Sequence, residues 1–175
     1  LAITGQTKVR EYGTPYCAEG SLLASDDEVK GQLEASACSI LMKALWLARL
    51  ARPDLIRAVC SSACNITKWT ANDDKRVARL IGYLWYSRDY QLIGRVIDVQ
   101  DHLSLALYVD ADFCGDSGTT RSCSGGWLVL EGPNGTLFPL AWVCKRQSAT
   151  SRSTTEAETV ALGYSLFQEA IPAVE

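Results

Sequence analysis

Histidine is almost missing from this 175-residue chain: His102 is the single one. The seven cysteines contain no C-x-x-C pair, so the donor sets of structural zinc sites cannot be assembled from neighbouring residues. Cys60 and Cys64 stand four apart on a predicted helix, and nothing places His102 beside a thiol for Cys/His nucleophilic catalysis. Reduced thiols in an intracellular setting are the default for such a chain. No apolar run approaches the roughly 18 to 20 residues of a membrane span, so no membrane partner is expected. The start, Leu1-Ala2-Ile3-Thr4, has neither an initiator Met nor the plan of a signal peptide, and the chain reads as a piece of a longer polypeptide.

What is present suits a globular protein, 47% hydrophobic and 21% charged. The net charge of −3 hides a split. Between Lys43 and Arg95 ten basic residues face four acidic ones, a local balance of +6 that leaves −9 to the remainder. One part is thereby suited to a polyanion and the other to supplying carboxylates.

Residues 1–34 are punctuated by Gly5, Gly13, Pro15, Gly20 and Gly31 and read as irregular, with one short strand around Lys8–Tyr12. Residues 35–90 read as helical. Ala37, Leu41, Ala44, Leu45 and Ala48 form a helical stripe over 35–50, which Arg52-Pro53-Asp54 ends. Leu55, Ala58, Val59, Ser62, Ala63 and Ile66 mark a second helix over 53–67. A third starts after Thr70 or Asn72, with Asp73 and Asp74 at its positive end and Val77, Leu80, Ile81 and Leu84 inward. Lys75, Arg76 and Arg79 fall off that stripe as a basic cluster. Such runs are commonly solvated faces; here they are also candidates for phosphate contact.

From residue 91 the period changes to alternation. Gln91–Val96 is a short strand candidate, and Leu103, Leu105, Leu107 and Val109 give 103–110 one buried face, which leaves Asp110 on the other. Gly132-Pro133-Asn134-Gly135 predicts a hairpin between 126–131 and 136–144. Ser153 and Glu156 have capping-box spacing and open a last helix that should stop before Pro172. Asp110-x-Asp112-x-Cys114-Gly115 imitates an EF-hand loop, but Cys114 replaces an oxygen donor and Arg121 stands where the closing Glu belongs. Calcium is discarded. A strand ending in Asp110 and a helix opening with Glu158 instead suit metal-assisted phosphodiester hydrolysis, in which carboxylates from different elements converge on cations about 3.5–4 Å apart.

Four segments in order, Tyr108–Asp116, Arg121–Gly126, Trp142–Gln147 and Ser153–Glu158, resemble the successive motifs of the ribonuclease H domain in copia-type retrotransposon polyproteins. Upstream, Ala48–Leu55 and Lys75–Leu84 are similar to that family's segment between polymerase and ribonuclease H. The resemblance covers roughly residues 35–170. It implies an α/β chain with a helical connection segment at 35–90 and the N-terminal part of a ribonuclease H-like fold at 91–175, a mixed sheet with an antiparallel hairpin plus a helix. It implies Mg²⁺ or Mn²⁺ held by Asp110 and Glu158, with Asp112 beside them, and an RNA–DNA hybrid as partner, its backbone met by Lys75, Arg76 and Arg79. Glu156 is the capping residue rather than a ligand. Phe113, Cys114, Cys123 and Thr159 depart from the family's usual residues. The polymerase motif and a further metal-binding Asp are not in these 175 residues, so the chain by itself is expected to be inactive and to depend on the remaining polymerase and ribonuclease H portions of the polyprotein. The implied location is intracellular, in a cytoplasmic virus-like particle or the nucleus. The alternatives are a non-catalytic nucleic-acid-binding connection module and a decayed transposon relic.

Overall fold

A computed structural model describes residues 9–17, 20–115 and 120–174. Lys8 of the expected first strand and Asp116 of the motif after Tyr108 lie outside the described residues. The chain divides into two units, Leu1–Gln91 and Leu92–Glu175.

The first unit is helical. α1 spans Glu34–Leu50, α2 Ile56–Ala63 and α3 Ala71–Tyr86. Ala37, Leu41, Ala44 and Ala48 recur at three- and four-residue spacing, so one side of α1 is buried, against Leu55, Ala58 and Val59 around α2 and Val77, Leu80 and Tyr83 of α3. Full burial of side chains such as Leu41 or Leu80 stabilises the fold by about 1.5–3 kcal/mol each. The expected continuous helix over 53–67 is broken. Its first turn, Pro53–Leu55, and its last, Ile66–Lys68, are 3-10, and the α-helical run between them is Ile56–Ala63. Residues 9–12 form no strand. They run beside α3 instead, where a side chain at Gly82 would collide with the Arg10 carbonyl and the Tyr12 ring. That close approach needs glycine.

The second unit has mixed α and β structure: three antiparallel strands followed by a helix. β1 spans Ser104–Asp112, β2 Cys123–Glu131 and β3 Leu137–Arg146, in the order β1-β2-β3. The β2–β3 hairpin closes through Gly132–Thr136, with only Gly135 at positive φ within the turn. A bulge near Val129 accommodates Pro139, which cannot donate to the ladder. α4 spans Thr154–Ser165 and packs on β1 and β2. Its contact residues are small, Ala157, Ala161 and Ser165, and Gly126 lies under Ser165, where any Cβ would clash.

Two expectations for this unit fail. Residues 91–96 make only one bridge, Arg95 to Leu137, because the backbone then turns so that Asp98 meets the hairpin. The last helix does not stop before Pro172. A π turn, Leu166–Ala170, in which the Ile171 N–H bonds the Leu166 carbonyl, resets the hydrogen bonding, and the helical backbone runs on through Pro172 as α5, Ile171–Val174.

Candidate functional site

Directly paired residues of an antiparallel ladder project to the same side. Ser124 and Gly126 face α4, so their partners Ala111 and Val109 do too. Asp110 therefore projects from the opposite face together with Tyr108 and Asp112, as the alternation in the sequence implied. Opposite Asp110 on β2 stands Gly125, and opposite Gly125 on β3 stands Cys144. Trp127 and Trp142 stack on this same face with ring centroids 5.3 Å apart, and the Tyr108 hydroxyl donates to Glu131 at 2.9 Å. Asp110 is exposed and Asp112 half-buried; Asp112 lies under Gly115, which has no room for a Cβ.

Glu158 is carried by α4, whose start is held in three ways. The Ser153 hydroxyl accepts from the Glu156 N–H at 3.2 Å, and Glu156 accepts the Arg152 N–H at 2.7 Å. Gln147 does the rest. Its buried amide donates to the Ser124 hydroxyl at 3.1 Å and to the Ala157 carbonyl at 2.9 Å, and it accepts from Ser151 at 3.0 Å. This clamp joins β2 to the first turn of α4, one residue before Glu158. Nothing local in the sequence marked Gln147 for the role, because Ser124 and Ala157 are far from it along the chain. Glu158 itself is exposed. The structure brings Asp110 and Asp112 onto one face and does not gather them with Glu158. Among the described residues no group of three or more His, Cys, Asp or Glu could hold a metal ion.

A second carboxylate of this unit has a structural task that the sequence did not reveal. Asp98 is 8% exposed and accepts from the Asn134 backbone N–H (3.1 Å) and side-chain amide (2.6 Å) and from the Thr136 N–H (3.2 Å). The Thr136 hydroxyl accepts in turn from the Ile97 and Asp98 N–H groups. The bonds with Thr136 and then Asn134 outweigh desolvation and hold the Asp98 carboxyl below the usual carboxylate range.

In the helical unit each member of the basic cluster has an intramolecular partner. Lys75 pairs with Asp26, Arg76 with Asp73 at 2.7 Å, and Arg79 donates to the Thr14 carbonyl (3.1 Å) and hydroxyl (2.6 Å) while its guanidinium covers the Tyr12 ring at 4.8 Å. Lys75 keeps 46% side-chain exposure and Arg76 31%. Asp73, 1% exposed, also accepts from Asn65 at 2.8 Å and from the Thr70 N–H and hydroxyl, both at 3.0 Å. Asp74 accepts from the Trp69 indole at 2.7 Å and the Leu33 N–H at 3.1 Å, and so ties α3 to the start of α1.

The densest polar network of this unit lies around Arg52. Arg52 is 8% exposed; it donates to Asp54 at 2.7 and 3.0 Å, to the Ser87 hydroxyl at 2.5 Å and to the Ser87 carbonyl at 3.1 Å. The Tyr83 hydroxyl donates to Asp54 at 2.6 Å, and the Tyr83 and Tyr90 rings flank the guanidinium. Burial raises the Asp54 carboxyl, but the bonds from Arg52 and Tyr83 overcome it and leave the pKa below the ordinary value. The bond to Asp54 raises Arg52 against its own desolvation. These groups join the α1–α2 corner to the end of α3. No helix of the described residues is long and apolar enough to cross a membrane.

No family model matches the chain, and no solved structure matches it. The retrovirus-related Pol polyprotein from transposon RE2 of Arabidopsis thaliana is 33% identical over 107 residues, which are 61% of this chain. The chain spans 7% of that polyprotein's length. This similarity supports an origin for the chain in a retrotransposon Pol polyprotein.

Proposed function

We propose that the chain is a piece of a copia-type reverse transcriptase–ribonuclease H, in which residues 35–90 connect the polymerase to a ribonuclease H-like domain begun by residues 91–175. The parent protein would cleave RNA in RNA–DNA hybrids. The observation that carries this reading is the order of elements in the second unit. A strand bearing Asp110 near its end is followed by an antiparallel hairpin and then by a helix with Glu158 in its second turn, packed back on the first strand. That order matches the resemblance in the motifs, and the similarity to a transposon Pol polyprotein accompanies it.

The residues present do not by themselves fit a two-metal centre. Such a centre needs several carboxylates converging on two cations, and Asp110, Asp112 and Glu158 form no such group. We therefore assign Asp110 and Glu158 as part of a ligand set for Mg²⁺ or Mn²⁺ that other portions of the polyprotein complete. Lys75, Arg76 and Arg79 would meet the hybrid backbone after exchanging Asp26, Asp73 and Thr14 for phosphates. In a connection module without catalysis, the charge split would serve hybrid binding alone.

Release of labelled RNA from a hybrid tests the reading. Alone, with Mg²⁺ or Mn²⁺, the chain is expected to release none. In the polyprotein, Asp110→Asn and Glu158→Gln are each expected to slow cleavage at least about 100-fold, about 2.7 kcal/mol of transition-state stabilisation. Cleavage at the parental rate by both variants would overturn the assignment. Hybrid binding without cleavage by the intact polyprotein would favour the connection module.

A further inference from the structure

Two of the seven cysteines meet on the sheet face that carries Asp110 and Asp112. Cys123 opens β2 and Cys144 lies near the end of β3, and their Sγ atoms are 3.4 Å apart. Each is half-buried. They are diagonal rather than directly opposed, since Cys123 pairs with Arg146 and Cys144 with Gly125. Gly125, the residue directly opposite Cys144, places no side chain on this face, and a Cβ there would meet only the Asp110 carbonyl, at 3.8 Å.

We propose that Cys123 and Cys144 are a redox-modification site, a dithiol that closes to an intramolecular disulfide when it meets a low-molecular-weight disulfide such as oxidised glutathione. The first thiolate attacks one glutathione sulfur, forming a protein–glutathione disulfide and expelling one glutathione thiolate. The second thiolate attacks the protein sulfur of that mixed disulfide, forms the Cys123–Cys144 bond and expels the second glutathione. Two protein thiols lose two electrons and two protons, and one oxidised glutathione becomes two reduced ones. To reach the bonded separation of about 2.05 Å the sulfurs close by about 1.4 Å, shared between two side chains.

Proximity supports the site: the β2–β3 ladder holds both residues on one face with their sulfurs 3.4 Å apart, so the resolving step is intramolecular. This site stands apart from the hydrolase reading and does not depend on it.

The sequence makes the test direct. No Lys or Arg lies between Ser122 and Lys145, so trypsin releases both cysteines in one peptide. The reduced chain is equilibrated with a mixture of reduced and oxidised glutathione, blocked with an alkylating agent, digested and mapped by mass. The expected result is a Ser122–Lys145 peptide lighter by two hydrogen atoms, carrying neither alkyl group nor glutathione, and restored by dithiothreitol. Closure in denaturant should be at least about tenfold slower, because the ladder no longer holds the pair together. In Cys144→Ser the same peptide should end as a stable glutathione adduct or an alkylated thiol. Two alkyl groups on the wild-type peptide while exposed Cys38 or Cys64 has reacted would overturn the proposal, as would a glutathione adduct that never resolves. Pairing of Cys123 with Cys114, or equal closure rates in the folded and denatured chain, would overturn it as well.

Discussion

The two units use their carboxylates in opposite ways. In the helical unit Asp54, Asp73 and Asp74 each accept several hydrogen bonds from side chains or backbone groups that other elements deliver. Their lone pairs are engaged in holding helices together. In the sheet unit Asp98 is of that kind, whereas Asp110 and Glu158 sit exposed on a strand and a helix. A carboxylate saturated by buried donors is a structural joint whose removal strands those donors. One left to solvent on a rigid element costs the fold little and is the kind available for chemistry. The basic residues follow the same contrast: Arg52 is consumed by its network, while Lys75 and Arg76 keep part of their surface.

The largest effect is expected at Asp54→Ala. It leaves the Arg52 guanidinium buried without its carboxylate and the Tyr83 hydroxyl without its acceptor, and should cost about 3 kcal/mol. Urea unfolding followed by a probe in the helical unit measures it; a loss under about 1 kcal/mol would place Asp54 with the dispensable surface carboxylates. Acid is a gentler lever on the same joint. Because the folded-state pKa of Asp54 lies below its unfolded value, the stabilisation is fully present above the ordinary carboxylate range and disappears as pH falls through the depressed value. Asp98 in the sheet unit has the same sign. The contributions separate in Asp54→Asn, which should flatten the acid limb of the helical unit and leave that of the sheet unit unchanged, as titrations monitored separately in each unit would show. The smallest effect is expected at Asp110. Asp110→Asn should be neutral or slightly stabilising without divalent ions, on the order of 0–1 kcal/mol by thermal unfolding, because it removes a charge from a face that also carries Asp112. A loss above about 3 kcal/mol would move Asp110 into the structural class.

Much of this contrast was legible along the chain. The stripes of α1 and α3, the alternation through Val109 that turns Asp110 outward, the Gly132–Gly135 turn and the Ser153 cap are all patterns within one or two turns or one strand, and the fold keeps them. The basic cluster was legible as a cluster but not as a set of occupied groups, because Asp26 and Thr14 lie 49 and 65 residues from their partners. The need for glycine at Gly82 was not legible either, because it comes from the passage of Arg10 and Tyr12 over α3. Residues 91–96 have strand-like alternation, but beyond the Arg95–Leu137 bridge that segment serves to bring Asp98 under the hairpin. On α4 Val160 and Leu162 are exposed, and it is the small Ala157, Ala161 and Ser165 that let the helix approach the sheet.

Periodicity, caps and turns act between residues a few positions apart and set most of the elements and the face on which Asp110 stands, but not the breaks in the helix over 53–67, the course of 9–12 and 91–96 or the passage of the last helix through Pro172. Tertiary contacts decided which charges are used up in joints, that Gln147 anchors the helix bearing Glu158, and that Cys123 meets Cys144 on one face of the sheet. Those outcomes depend on strand register and on segments brought together from 10 to 65 residues away. Composition and local pattern carry no record of such pairings, since many partners at that range are equally compatible with the same local sequence.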